Sequence, residues 1–168
     1  MLKRCWRMIF APAFLLFGTA CLKILRPLLR LRVGWLHYRR LGHLGENTEL
    51  FLRQQTINSS RERCIFISGK PANFQLLTMV KRRLQVLEIR HPIPVRLENI
   101  VIECLKKADM YIDLLSLDCY AYDAFNNIAP QLSFNEEEER KGNRLLKRMG
   151  IEPGTPFVCF HARDKAYL

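Results

Sequence analysis

Cys64-Ile65-Phe66-Ile67-Ser68-Gly69 is the stretch that decides the fold class. Its apolar residues run without polar alternation and stop at a glycine, which describes a strand with both faces covered. A sheet of such strands needs helices on either side, so the stretch predicts an α/β domain rather than a sandwich or a bundle. Upstream of it, Asn58 to Arg63 is a polar connection, and Glu49-Leu50-Phe51-Leu52-Arg53-Gln54-Gln55 reads as a helix that Asn47 or Thr48 can cap. Arg39 to Gly45 reads as a glycine-bracketed loop, preceded by a first strand at Val33-Gly34-Trp35-Leu36-His37-Tyr38.

Downstream, Pro71 opens a predicted helix with Leu77, Val80, Leu84 and Leu87 on one stripe and Lys81, Arg82 and Arg83 outside it. His91-Pro92-Ile93-Pro94 is a rigid bend, 99–108 a further helix, and 111–117 a short strand or turn, while 118–130 has no firm period. Ser133 followed by Glu136 forms a capping box for a helix to Met149, with Gly150 just past its end. Its acidic start and basic finish complement the helix dipole and mark a solvated structural helix. Ile151-Glu152-Pro153-Gly154-Thr155-Pro156 is a connector, after which Phe157 begins a new strand. The expected organisation is a basic, apolar segment over 1–32, a Rossmann-like domain over 33–150, and a linker with the first strand of another domain over 151–168.

The net charge of +11 is unevenly placed: residues 1–45 contribute +9 and residues 46–168 only +2. A nucleic-acid-binding face would spread its charge over a folded surface and carry a recognition motif, so that class is disfavoured. Here the basicity flanks the uncharged run Met8–Leu22, which includes Pro12 and Gly18. The run falls short of the roughly 20 residues of a spanning helix. Beyond it, Lys23, Arg26 and Arg30 share one arc of a helical wheel and leucines fill the rest, the pattern of a helix lying in an anionic membrane surface. Pro27 argues for a break inside that helix. A signal peptide cleaved near Gly18-Thr19-Ala20, and a hairpin buried in the domain itself, are the alternatives. The cysteines at 5, 21, 64, 104, 119 and 159 have neither metal-ligand nor redox spacing and read as small buried hydrophobes, so no metal or cofactor is expected.

Two constellations could carry chemistry. Gly42-His43-Leu44-Gly45, with Asn47, lies between a strand and a helix start, where free amides bind anions and His43 can act as a general base; Glu49 is a second candidate base. At the other end of the chain, His161, Arg163 and Asp164 follow the apolar start of the last strand. That is where open α/β sheets place ligand groups, and an arginine fork there suits phosphate. A surface histidine in a βα turn and a surface salt bridge are the bland readings of the two. A polar cluster so close to Leu168 carries the expectation that the chain is the front part of something longer.

Taken together, Arg40-Leu41-Gly42-His43-Leu44-x-x-Asn47-Thr48-Glu49 and Phe157-Val158-Cys159-Phe160-His161-x-Arg163-Asp164-x-x-Tyr167-Leu168 resemble a family of bacterial glycosyltransferases. These are fucosyltransferase-like enzymes of the two-Rossmann GT-B type, associated with surface polysaccharides. The resemblance implies that 33–150 is the acceptor-side domain, with Gly42, His43, Gly45 and Asn47 on a cleft loop and His43 or Glu49 as catalytic candidates. It also implies that His161, Arg163 and Asp164 hold the diphosphate of a nucleotide-sugar donor. The implied partners are that donor, a glycan or lipid-linked acceptor and, through residues 1–32, the cytoplasmic face of the inner membrane. With one domain alone, the chain is expected not to transfer sugar by itself. The alternative is a non-enzymatic membrane-associated interaction module.

Overall fold

The computed structural model describes residues 11–58, 62–89, 91, 93–117, 127–152 and 154–158, with side chains from Leu15 onward. The chain divides into two compact units between Leu132 and Ser133. The first unit is built on a four-stranded, all-parallel sheet of strands β1 (Leu31–Trp35), β2 (Arg63–Ser68), β3 (Gln85–Glu88) and β4 (Tyr111–Ile112), in the order β3-β2-β1-β4. Its helices are α1 (Ala11–Leu29), α2 (Leu41–Asn58), α3 (Phe74–Arg83) and α4 (Val95–Lys107), with a short 3-10 turn at Leu114–Ser116.

The order explains the layers. From β1 to β3 the chain steps outward in one direction, with α2 and α3 as crossovers, and then jumps back past β1 to β4 through α4. Right-handed crossovers place helices on opposite faces when the direction of travel reverses. Accordingly Leu44, Phe51 and Leu52 of α2 and Leu77 and Val80 of α3 share one core with Phe66 and Ile112. On the other face Trp35, Leu105, Ala108 and Met110 form a second core, against which Leu22 of α1 and Val101 and Ile102 of α4 pack. The α/β class expected from Cys64–Gly69 is therefore present, with a Rossmann-like strand order.

One glycine is required by this packing. A Cβ on Gly34 would stand 2.6 Å from Cε1 of Phe66 and 3.1 Å from the Ile112 carbonyl oxygen. Phe66 is fully buried, so its ring has nowhere to go.

Several expected boundaries move. β1 begins at Leu31, and residues 36–40 are the connection that follows it. α3 starts after Asn73, whose side chain accepts from the Leu76 amide, and ends at Arg83. The Leu77–Leu84 stripe does not continue in helix to Leu87, because the next residues form β3, a four-residue edge strand in which Leu87 is exposed. α1 runs through Pro27 and ends where Arg30 takes a left-handed φ of 45°. It docks along α4: Cys104 Sγ donates to the Leu15 carbonyl at 3.7 Å, and Arg26 pairs with Asp109 at 2.5 Å. Residues 15–29 thus belong to the same compact unit as the sheet.

In the second unit, α5 (Glu136–Arg148) carries the capping box two residues later than Ser133. Asn135 Oδ1 accepts from the Glu138 amide and Glu138 Oε2 accepts from the Asn135 amide. Gly150 follows the helix with φ of 80°, as expected. α5 buries none of its residues.

Candidate functional site

Open parallel sheets bind ligands outside the carboxyl ends of their strands, at the point where strand order turns back. Here that point lies between β1 and β4. The chain leaving β1 delivers His37, Tyr38, Arg39 and Arg40, and the chain leaving β4 delivers Asp113. The β1 exit is fastened at both ends. Leu36, almost wholly buried, donates its amide to the Ile67 carbonyl at 2.9 Å, and the Tyr38 carbonyl accepts from the Ala72 amide at 2.7 Å.

Sequence reasoning expects a cleft loop at Gly42, His43 and Gly45, with Asn47 or Thr48 as helix cap. All five lie inside α2, which already starts at Leu41. A Cβ on Gly45 would only touch Leu76 of α3, at 3.5 Å, and one on Gly42 would meet open space, so both glycines sit in regular helix and neither makes a sharp turn. Asn47 and Thr48 are buried with Leu44, Phe51 and Leu52 on the face that packs toward the sheet. Burying an amide costs free energy unless it is hydrogen-bonded. Asn47 is bonded on both sides: Nδ2 donates to the Leu114 carbonyl at 2.9 Å, and Oδ1 lies 3.1 Å from His43 Nδ1.

This pair fixes the tautomer of His43. The Leu114 carbonyl can only accept, so the Asn47 NH2 must face it and Oδ1 must face the imidazole. His43 Nδ1 therefore carries a proton, which leaves the lone pair of the neutral ring on Nε2. Six residues back, in the connection that leaves β1, His37 stands with its ring centroid 6.0 Å from that of His43, the rings inclined at 62°. Burial, with the neighbouring His43 and Arg40, lowers the His37 pKa against the opposing pull of Asp113. The neutral form of His37 is thereby favoured.

Glu49 stands apart from this pair. Six residues from His43 is about 240° around a helix, so the two side chains leave α2 in different directions. Glu49 Oε1 accepts from Arg53 at 2.6 Å, and its carboxylate also accepts from the amides of Gln131 and Leu132 at 2.8 and 2.9 Å. Burial disfavours its charge, but the Arg53 hydrogen bond and the two amides outweigh burial and hold its pKa below the usual value. The Glu49 carboxylate straps residues 131–132 to α2. Of the two catalytic candidates, His43 is the one whose ring lies beside a residue of the crevice wall, His37.

The crevice has two lobes, which share Trp35, Tyr38, Arg39 and Glu98. The first, about 320 Å³, is walled by His37, Arg40 and Tyr111. The second, about 190 Å³, lies over the ends of β2 and β3 and reaches Gly69, Lys70 and His91. Sequence reasoning missed His37 and Asp113. The available signal was that two histidines six residues apart bracket a strand-to-helix connection, which needs the strand end placed correctly. His161, Arg163 and Asp164 lie outside the described residues.

Cys21, Cys64 and Cys104 are free thiols, and burial pushes the Cys64 thiol up. Among the described residues, no group of His, Cys, Asp and Glu could hold a metal ion, and no helix is long and apolar enough to cross a membrane. No family model, curated protein or solved structure matches the chain.

Proposed function

We propose that this chain is the acceptor-side part of a GT-B glycosyltransferase of the fucosyltransferase-like bacterial type. It would act on a nucleotide-diphosphate sugar and a cell-surface glycan or lipid-linked acceptor. The observation that carries the proposal is the Asn47-pinned His43 beside His37 at the strand-order reversal. Glycosyl transfer needs one proton removed from an acceptor hydroxyl as its oxygen attacks the anomeric carbon. The bond from that carbon to the diphosphate breaks, and the diphosphate leaves with the electron pair. The Nε2 atom of His43 is the proposed acceptor of that proton. Arg163, with His161 and Asp164, would neutralise the leaving diphosphate, the largest charge that develops.

The test is transfer from a panel of nucleotide-diphosphate sugars to membrane-extracted acceptors, with a nucleotide-sugar-binding domain supplied in trans. His43→Gln is expected to reduce transfer about 10²–10⁴-fold, the usual worth of a general base. Transfer with none of the donors, or transfer indifferent to H43Q, would sink the proposal.

A second reading, a membrane-associated interaction module, is favoured by α1. Its inner face is taken up by α4, while Leu16, Phe17, Ile24 and Leu28 on the outer side are 70–78% exposed. Lys23 borders that stripe on the helical wheel, and Arg30 is exposed at its end. An apolar stripe with a basic border suits the interface of an anionic bilayer, and it serves the enzyme reading equally well by holding the domain at the inner membrane. Sedimentation with anionic and zwitterionic vesicles tests it. Ile24→Glu with Leu28→Glu should abolish binding to the anionic vesicles, and unchanged binding rejects the membrane assignment.

A further inference from the structure

The second lobe of the crevice has a construction of its own, independent of the histidine pair. Trp35 ends β1 there, nearly buried, and its neighbour in the wall is Tyr38. The Tyr38 ring occupies space that any other residue at position 69 would fill: a Cβ on Gly69 would fall 2.8 Å from both Cζ and Oη of Tyr38. With its carbonyl bonded to the Ala72 amide, Tyr38 is stitched to the loop after β2 by side chain and backbone alike. The Arg39 guanidinium lies over the Tyr38 ring, 5.7 Å from its centroid. Two aromatic side chains therefore line one cavity wall, and one of them, Tyr38, is fixed in place.

The charges around this wall are of one predominant sign. Arg39 and Lys70 line the lobe, and among the described residues neither is paired with a carboxylate. Glu98 is the one acidic residue in the lining. Glu98 stands in the first turn of α4, whose start at Pro94 has no side-chain cap, in contrast to the Asn-capped starts of α3 and α5. The positive end of the α4 dipole thus adds to the cationic side chains. A volume of about 190 Å³ is too small for a nucleotide sugar, falling below the roughly 300–1,000 Å³ of drug-sized sites.

We infer that this lobe binds a phosphorylated monosaccharide unit. The C–H face of the sugar ring rests on Trp35 and Tyr38, the phosphate meets Arg39 and Lys70, and Glu98 accepts from a ring hydroxyl. Arginine and lysine at the rim supply the fork and the point charge that phosphate takes. The inference goes beyond the proposed transfer reaction and stands without it, because binding requires no donor.

The experiment is titration of the 168-residue chain with glucose 1-phosphate, glucose and inorganic phosphate, followed by calorimetry and by amide shifts of residues 68–70. A short-chain prenyl-linked phosphosugar is added as a fourth arm, to separate a lipid-linked source from a free one. Glucose 1-phosphate, or its prenyl-linked form, is expected to bind at least ten-fold tighter than glucose or phosphate. Lys70→Glu, at an exposed position, should weaken that binding ten-fold or more without moving the thermal midpoint. Gly69→Ala should displace the Tyr38 ring and erase the preference for the sugar phosphate over phosphate. Equal affinity for phosphate and the sugar phosphates overturns the ring contact. K70E binding like the parent chain, or no sugar phosphate shifting residues 68–70, overturns the site.

Discussion

Helices α2 and α5 differ in what they bury. α5 has its four glutamates in the first turn, Lys147 and Arg148 in the last, and a reciprocal Asn135–Glu138 cap, and it leaves every residue at least partly open to solvent. α2 has no acidic residue in its first turn and two glycines near its start, yet its inner face is buried from Leu44 to Leu52. Each interior glycine costs a helix about 1 kcal/mol relative to alanine. Local preference therefore holds α5, and packing against the sheet holds α2. The polar residues that α2 buries are Asn47 and Thr48, and Asn47 is bonded to His43, whose ring lies beside His37 of the crevice wall. Places where local rules are broken and then compensated are where function is expected.

The largest effect that separates the two helices is cavity formation. Leu44→Ala in α2 should cost about 2–5 kcal/mol of unfolding free energy, since Leu44 is fully buried. Leu145→Ala in α5 should cost no more than about 0.5 kcal/mol. Urea unfolding of both variants checks the contrast, and similar losses would mean that α5 is packed as tightly as α2. Next in size is Asn47→Leu, which removes both hydrogen bonds and leaves the Leu114 carbonyl and His43 Nδ1 without their partner. The expected cost is about 1–3 kcal/mol. The more telling readout is the ¹⁵N spectrum of the His43 ring: parent protein with Nδ1 protonated, N47L with a mixture of tautomers. A single unchanged tautomer in N47L would show that Asn47 does not set it.

These contrasts also show what the sequence could disclose. Cys64–Ser68 was legible because a strand covered on both faces leaves an unbroken apolar run. α5 was legible because caps and charge are local signals, although the box was placed at Ser133 when Asn135 offers the same chemistry. β3 was not, since Gln85-Val86-Leu87-Glu88 continues the helical spacing of Leu77 and Val80, and only pairing with β2 selects the extended form. α2 was misplaced for a related reason. Glycines and an Asn-Thr pair are loop and cap signals, and the tertiary burial that overrides them depends on Leu114, 67 residues from Asn47. His43 was found through its glycine setting, whereas His37 and Asp113 needed the β1–β4 pairing. The bonds that engage Glu49 were not legible, because its partners Gln131 and Leu132 lie 82 and 83 residues away.

Acid should act on the α2 side of the comparison in two steps. The folded-state pKa of His37 is lowered from its ordinary 6.5, so the native state binds fewer protons than the unfolded chain. Its contribution is fully present above pH 6.5 and is lost as pH falls through the lowered value. Glu49 behaves alike from a lower starting point: its contribution is present above pH 4.5 and disappears as pH falls through its depressed folded value. The urea midpoint followed from pH 8 downward should drop first below about 6.5 and again below about 4.5. His37→Gln should remove the first step and Glu49→Gln the second. If the first step survives in H37Q, another group is responsible, and burial of His37 is not what lowers its affinity for the proton.

The smallest effect is expected at Thr48. Its side chain is fully buried on the sheet side of α2, and its hydroxyl has no hydrogen-bond partner among the described residues. Such a group carries a desolvation penalty with no return, whereas Asn47, one residue earlier, has both of its hydrogen-bonding groups satisfied. Thr48→Val keeps the branched shape and replaces the hydroxyl with a methyl group, so stability should rise by up to about 1 kcal/mol. A chemical-denaturation midpoint above that of the parent, with an unchanged denaturant slope, is the expected result. A clear loss would mean that the hydroxyl is engaged, and that both buried polar residues of α2 belong to the network around His43.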